Sequence, residues 1–273
     1  MTAPPDPDSL ASLRAKWSQA RPELDIALRF IAPPQRVVAE AMACLGLELE
    51  QAAFELHDVE PALIKLQWWA QELIAAGHGQ ASHPLACALA AQPGFAAVAP
   101  AQWQALVEGA LRQRDDAPAP TAVALLDGHA ALQAPLAQIQ VRLGAPLDAP
   151  ALGRARILAR ALRELARLHE TLADGRLPLP LDLLARHRLA RGDLAQATPR
   201  RRAAVRDWLA ELATGLAALR GARIGAIAAA GVAADRWRIA RARRSDEPVA
   251  MLGTLLERVP LRATLAAWRA RGA

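Results

Sequence analysis

Residues 61–77 have the sequence PALIKLQWWAQELIAAG, and their apolar side chains recur with the spacing of an α-helix. Leu63, Leu66, Trp69 and Leu73 follow one another at steps of three and four residues, which places them on one face. The proline at the start and the glycine at the end are typical helix boundaries. The stretch therefore predicts an amphipathic helix that packs in a bundle.

The same pattern extends along the chain and predicts an all-α fold. Ala and Leu dominate, Tyr is absent and only three Phe occur among 273 residues, so strong helix formers outnumber strand formers. Further helices are expected from Pro22, Pro34, Pro84, Trp103 and Thr121 onward, and over roughly 152–172, 199–219, 224–243 and 261–269. We expect a flexible N-terminal tail over residues 1–21 and one helical domain over 22–273.

The charge and motif content exclude several classes of function. The formal charge is +6, but it is carried by arginines scattered along the whole chain, which argues against a nucleic-acid footprint. Cys44 and Cys87 lack metal-ligand spacing, and the sequence contains no nucleophile elbow or Gly-rich phosphate loop. The most apolar run, 224–234, is about half of a bilayer span. We expect a cytoplasmic protein, with peripheral contact to the inner face of the membrane as a candidate.

Three motifs in order resemble the squalene/phytoene synthase family, the head-to-head branch of the trans-isoprenyl diphosphate synthases. They are the basic residue before a Trp-Trp pair in Lys65 to Trp69, the His83-Pro84 pair, and the Gly-Arg-x-x-Leu-Pro connector at residues 175–180. Residues 260–269 resemble the closing helix of the family. The resemblance covers the chain from about residue 24 and implies a helical bundle of the isoprenoid-synthase type around a central apolar cavity.

The resemblance also implies a magnesium site, because active members join two prenyl diphosphates with Mg²⁺ held by Asp-x-x-x-Asp motifs on two facing helices. The first motif helix offers Glu48, Glu50, Gln51 and Glu55 instead. Glu48 and Glu55 share a face but are separated by a rise of about 10 Å, and Gln51 with Glu55 supplies only one charge. These acids are alternatively surface or salt-bridge residues.

The second motif departs further from the family pattern. The Asn-x-x-Arg-Asp-x-x-x-Asp motif falls on Arg160, Arg163, Glu164 and Leu168, of which only Arg163 matches. Arg160 places a permanent cation where a ligand oxygen is needed, and Leu168 cannot bind an ion. Pro178 replaces the usual Tyr of the connector.

The arginines of this helix suggest what replaces the metal. Arg156, Arg160, Arg163 and Arg167 lie at i, i+4, i+7 and i+11, which is one helical stripe. One hypothesis is that the stripe faces Glu48, Gln51 and Glu55 on the first motif helix, where ion pairs replace the metal cluster. The alternative is a solvated basic face. The candidate pocket or diphosphate contacts are Glu48, Gln51, Glu55, Arg160, Arg163, Glu164 and Arg176.

The sequence thus favours a protein that lacks prenyl transfer activity and acts as a lipid-binding or assembly and scaffold protein, without a cofactor. It resembles in this respect the non-catalytic branch of mitochondrial complex I assembly factors. The alternative is a Mg²⁺-dependent transferase acting on prenyl diphosphates, with Glu55 and Glu164 as metal ligands and Arg163 and Arg176 on phosphate. A third interpretation is metal-free recognition of an anionic lipid head group by the arginine stripe. Expected partners are a prenyl diphosphate or other isoprenoid or lipid ligand, a protein partner, and no nucleic acid.

Overall fold

The computed structural model of the chain describes residues 7–54, 56, 58–112 and 117–271. This part of the chain forms fourteen α-helices and two short 3₁₀-helices, Phe95–Ala97 and Arg191–Ala195. The α-helices are α1 (Pro7–Ala20), α2 (Pro22–Leu28), α3 (Pro33–Phe54), α4 (Val59–Ala76), α5 (Pro84–Ala90), α6 (Pro100–Arg112), α7 (Ala122–Arg142), α8 (Ala149–Ala166), α9 (Leu168–Ala173), α10 (Leu181–Arg186), α11 (Pro199–Ala218), α12 (Gly225–Ala242), α13 (Pro248–Leu256) and α14 (Leu261–Arg269). The predicted all-α class is confirmed.

Side-chain caps fix where several of these helices begin. The hydroxyl of Thr121 accepts a hydrogen bond from the Ala124 amide at 3.2 Å, as its place before α7 predicts. Asp148 caps α8 and Thr198 caps α11 in the same way. A cap of this kind satisfies an amide that the first turn of a helix leaves without a partner. The polar residue before each apolar run therefore sets the register of that helix.

The helices bury two large apolar clusters. The first lies among α3, α4, α5 and α6 and includes Trp69 and Trp103, and the second lies among α8, α11 and α13 and includes Trp208. α7 and α8 pack against each other and join the two clusters. A smaller, alanine-rich cluster lies where α12 contacts α2 and α14. This arrangement leaves a space between α3, α7, α8 and α12.

Residues 7–20 differ from the flexible tail expected over residues 1–21, of which residues 1–6 lie outside the described residues. Residues 7–20 form α1, and Trp17 is only 1% exposed within the first apolar cluster. Arg14 contacts Asp25 at 2.8 Å, and Lys16 contacts Glu48 at 2.6 Å. Burial of the Trp17 indole stabilises the packed helix although the segment is polar in composition, because a large aromatic side chain buries much apolar area.

Three other segments differ from the predicted helices. The single helix expected over 152–172 is divided into α8 and α9 at Arg167, where the Thr171 hydroxyl donates to the Glu164 carbonyl at 3.1 Å. That bond occupies a carbonyl that a continuous helix would use itself. Neither α10 nor α13 was predicted, although Pro248 stands at the first position of α13. Of the described helices, none combines the length and the apolarity that crossing a bilayer requires.

Candidate functional site

A cavity of about 300 Å³ lies between α2, α3, α7, α8 and α12. Most of its lining is apolar, which is typical of pockets for small hydrophobic ligands. One end is open, since Gln35, Pro93 and Pro146 line it and are exposed to solvent. At the other end the lining residues Glu50 and Gln133 are buried. The cavity thus has a solvent-facing mouth and a buried polar end.

Small side chains on α3 make room for the cavity. Ala39, Ala43 and Gly46 recur at helical spacing and line it, and the same face ends at Glu50. From Gln35 to Glu50 the helix rises by about 22 Å, so the lined path is long as well as narrow. The shape suits an elongated apolar chain with its polar group at one end.

Beyond the polar end, the Arg160 guanidinium lies between carboxylates of α3 and α8. Its Nε and Nη2 donate to Glu164 Oε1 at 3.1 and 2.8 Å, and its Nη1 is 3.7 Å from Glu50 Oε2. The guanidinium carbon lies 3.7 Å from the centre of the Phe54 ring, which is a cation–π contact. A cation belonging to the protein therefore links the two facing helices.

Glu164 contacts two arginines and a histidine. Arg176 Nη1 lies 2.6 Å from its Oε1, and His129 Nε2 lies 3.3 Å from its Oε2. Burial raises the pKa of Glu164, but His129, Arg160 and Arg176 outweigh this and hold the pKa well below the usual range. Glu164 is therefore an ionised carboxylate whose two oxygens both have partners.

Glu50 is satisfied in a similar way. Arg21 Nη2 lies 3.1 Å from its Oε2, and the Gln133 amide donates to its Oε1 at 2.7 Å. Burial raises the pKa of Glu50, while Arg21, Arg160 and Arg163 lower it further than burial raises it. The carboxylate is thus held ionised by protein groups on α7 and α8 and by the residue that precedes α2.

A second buried ion network joins α2, α8 and α12. Arg238 contacts Glu23 at 3.1 Å and Asp235 at 2.8 Å, and all three side chains are 1% exposed. Arg163 lies 3.5 Å from the same Glu23 carboxylate. Arg238 also donates to the backbone carbonyls of Leu255 and Leu256. The network fixes α2 and the end of α13 against α12 on the side of the cavity where Glu23 and Arg163 line it.

The arginine stripe of α8 faces the interior over most of its length. Arg156 and Arg163 line the cavity, and Arg160 is 8% exposed. Arg167 differs, because its side chain is 51% exposed, and among its contacts is Glu170 at 3.9 Å. A solvated face is therefore found only at the end of the stripe.

Among the described residues of α3, Glu50 meets the stripe, and the expected Glu48 and Gln51 do not. Glu48 instead binds Lys16 and Lys65, and Gln51 does not line the cavity. Glu50 and Glu48 are two residues apart, which rotates them by about 200° around α3, so only one of them can face α8. Glu55 lies outside the described residues. The structure brings Arg160, Glu164 and Arg176 together and replaces Glu48 with Glu50.

The described donor set does not fit the magnesium cluster that the resemblance implies. Within the ranges that the structure describes, no group of three or more His, Cys, Asp and Glu side chains could hold an ion. Glu50 and Glu164 are shared with arginines, and Arg160 brings a permanent positive charge between them. A divalent cation there would meet electrostatic repulsion from guanidinium groups.

Sequence reasoning missed several polar residues of this region. Glu23, His129, Gln133 and Asp235 are buried, and each lies within an amphipathic helix whose neighbours gave no catalytic motif. A signal did exist for Glu50, because it continues the small-residue face of α3 at a step of four from Gly46. A polar side chain on an otherwise apolar helical face is expected to be buried with a hydrogen-bond partner. This rule would have identified Glu50 as a residue of the site.

Comparison with solved structures places this geometry in a known fold. A dehydrosqualene synthase in complex with ligand matches with a TM-score of 0.67 and 15% sequence identity over 91% of this chain and 95% of that chain. Squalene synthase HpnC from Alicyclobacillus acidocaldarius matches with a TM-score of 0.61 and 17% identity over 97% and 89% of the two chains. Neither family models nor curated proteins yield a match to the chain. The chain therefore has the squalene/phytoene synthase fold.

Proposed function

We propose that this protein is a non-catalytic member of the squalene/phytoene synthase fold that binds an elongated isoprenoid or other lipid-like ligand in its cavity. The observation that carries the proposal is the bridge from Arg160 to Glu50 and Glu164. It occupies the carboxylates that face each other across α3 and α8, where the resemblance implies metal ligands. The apolar, elongated cavity beside it supports the ligand-binding part of the proposal.

The test is incubation of the purified protein with labelled farnesyl diphosphate and Mg²⁺, with an active squalene synthase assayed in parallel. We expect neither coupled hydrocarbon nor pyrophosphate above the buffer blank. An apolar ligand of similar length should still stabilise the protein, because binding to the folded state alone raises its unfolding free energy. Turnover would overturn the proposal and support the Mg²⁺-dependent transferase, in which Glu55 and Glu164 hold the metal.

A surface of α14 supports peripheral contact with an anionic membrane as the setting for this function. Leu261, Leu265 and Trp268 share one helical face and are 84%, 52% and 44% exposed. Arginines surround the face at positions 258, 262, 269 and 271, and Arg271 also lines the mouth of the cavity. Aromatic and apolar residues flanked by arginines are typical of helices that lie at a bilayer surface.

Sedimentation with lipid vesicles tests the membrane contact. We expect binding to vesicles that contain phosphatidylserine, weaker binding to pure phosphatidylcholine, and loss of binding when Leu265 and Trp268 are both changed to Glu. Thr214→Glu, an acidic change at an exposed position of α11, is the control and should bind as the original chain does. Equal behaviour of the two variants would contradict the contact and favour a scaffold whose α14 face is covered by a protein partner.

A further inference from the structure

The buried end of the cavity carries more positive than negative charge. Among the described residues, three arginines, Arg21, Arg156 and Arg163, line the cavity at this end together with two carboxylates, Glu23 and Glu50. Unbalanced charge in a buried site is costly, since the charged form loses its hydration and gains no counter-ion. The composition of the lining therefore indicates a missing negative charge.

The pairing of these groups identifies which cation lacks a counter-ion. Glu50 is bound by Arg21 at 3.1 Å, and Glu23 is shared by Arg238 at 3.1 Å and Arg163 at 3.5 Å. Arg156 instead donates a hydrogen bond to the neutral Gln140 side chain. No ion pair within 4 Å joins Arg156 to an acid in the described part of the chain. The excess charge resides on Arg156.

The electrostatic environment of Arg156 agrees with this assignment. Burial and the neighbouring Arg21 lower the pKa of Arg156 to about 10, and Glu50 opposes the shift only in part. The guanidinium is still charged at neutral pH. Because its side chain lines the cavity, an anionic group of a ligand can reach it without passing through protein.

We propose that the cavity binds an amphiphile with a singly charged anionic head group, of the carboxylate class, which Arg156 recognises without a metal ion. Its apolar chain lies along α3 toward the mouth. A single negative charge matches the one uncompensated cation, whereas each further charge would face Glu23 and Glu50. The inference rests on the proposed function, because it assumes that the cavity holds an apolar ligand.

The experiment compares ligands that share a tail but differ in the head group. Binding of farnesoate, palmitate, farnesol and farnesyl diphosphate is measured by calorimetry in the presence of EDTA. We expect farnesoate to bind about ten- to a hundredfold more tightly than farnesol, the range set by one charge-assisted hydrogen-bonded contact. The relative affinities of palmitate and farnesoate show whether the cavity prefers a straight or an isoprenoid chain. Both acids should bind more tightly than farnesol.

Two variants assign the preference to one side chain. Arg156→Gln should lower the affinity for farnesoate to that for farnesol and leave farnesol unchanged, and Arg156→Lys should retain part of the preference. Arg154→Gln, on the exposed face of α8, is the matched control and should change neither. Without ligand, Arg156→Gln should melt at the same or a higher temperature, because it removes a partly buried cation that pairs with no acid among the described residues. Loss of binding can then not be ascribed to unfolding.

The outcomes separate this inference from the proposed function. Equal binding of farnesoate and farnesol, or a preference that survives in Arg156→Gln, overturns the head-group assignment and leaves a cavity that binds apolar chains. Tighter binding of farnesyl diphosphate than of farnesoate in EDTA also overturns it. No binding of any tail overturns the cavity function together with the inference.

Discussion

Replacing Arg160 with Gln tests whether the guanidinium bridge is what balances the two facing carboxylates. The variant loses two hydrogen bonds to Glu164, an approach of 3.7 Å to Glu50 and the contact with Phe54. Charge-assisted hydrogen bonds contribute about 1.5–3 kcal/mol each, and removing one partner of a buried pair costs about 3–5 kcal/mol. Gln keeps much of the length but no charge.

The remaining partners limit the loss. Glu164 keeps Arg176 and His129, and Glu50 keeps Arg21 and Gln133. We therefore expect the free energy of unfolding to fall by about 3 kcal/mol at neutral pH, near the low end of the range for a broken buried pair. For a domain of this size that corresponds to a melting temperature lower by about 6 °C or more. Arg154→Gln should change the free energy by less than about 0.5 kcal/mol.

The pH dependence of the unfolding free energy shows whether Arg160 stabilises the ionised forms of Glu50 and Glu164. Both carboxylates have a folded-state pKa below the unfolded value of about 4.3, so they stabilise the fold above that pH and lose this effect as the pH falls. Removing Arg160 raises the folded-state pKa values, so the variant has less stability to lose in acid. Urea titrations give the difference in unfolding free energy between the original chain and the Arg160→Gln variant. This difference should be smaller at about pH 3.5 than at pH 7. A difference below about 1 kcal/mol at pH 7, or one that is larger in acid, would refute the claim that Arg160 balances the two carboxylates.

Three further changes test other parts of the structure. Gly231→Leu, where a Cβ would meet nothing within 4 Å, should fill the cavity and abolish ligand binding without lowering the melting temperature. The control Gly253→Leu, at an exposed position of α13, should bind the ligand normally in calorimetry. Arg238→Met should cost about 3–5 kcal/mol in urea unfolding because two carboxylates that are 1% exposed lose their shared cation; a cost below about 1 kcal/mol would contradict this. Glu48→Gln should cost only about 1 kcal/mol, since both of its lysines are partly exposed, but should speed proteolysis within α1; an unchanged cleavage rate would show that this pairing does not hold the helix.

The sequence was sufficient for the all-α class and for most helix positions. Periodic apolar residues bounded by Pro, Thr or Gly predicted α3, α4, α11, α12 and α14 to within a few residues. α1 was missed because a single buried indole, Trp17, outweighs its polar composition. The break at Arg167 depends on a hydroxyl contact from Thr171, which no periodic pattern reports.

The site was predictable only in part, because its contacts join different helices and the pattern of one helix does not show them. Helical spacing identified the stripe on α8, because positions on one helix are related by a fixed rotation. Which acid of α3 meets it depends on the rotation of α3 relative to α8, which is set by packing between helices. A difference of two residues, from Glu48 to Glu50, is enough to change the partner completely. Buried partners from α7, such as Gln133, share no motif with either helix.

Arg160 and Arg156 lie on the same helix, α8, but they differ in their partners. We therefore expect them to respond differently to a ligand. Arg160 is already held by Glu164 and Phe54 and approaches Glu50, so its charge is compensated before any ligand binds. Arg156 lines the cavity and, in the described part of the chain, donates its side-chain hydrogen bond to the neutral Gln140, so its charge is available. A ligand that carried a divalent cation to this end would bring positive charge toward both guanidinium groups. A metal-free anion adds only the charge that is missing, and for that reason the head group and not the metal should decide affinity.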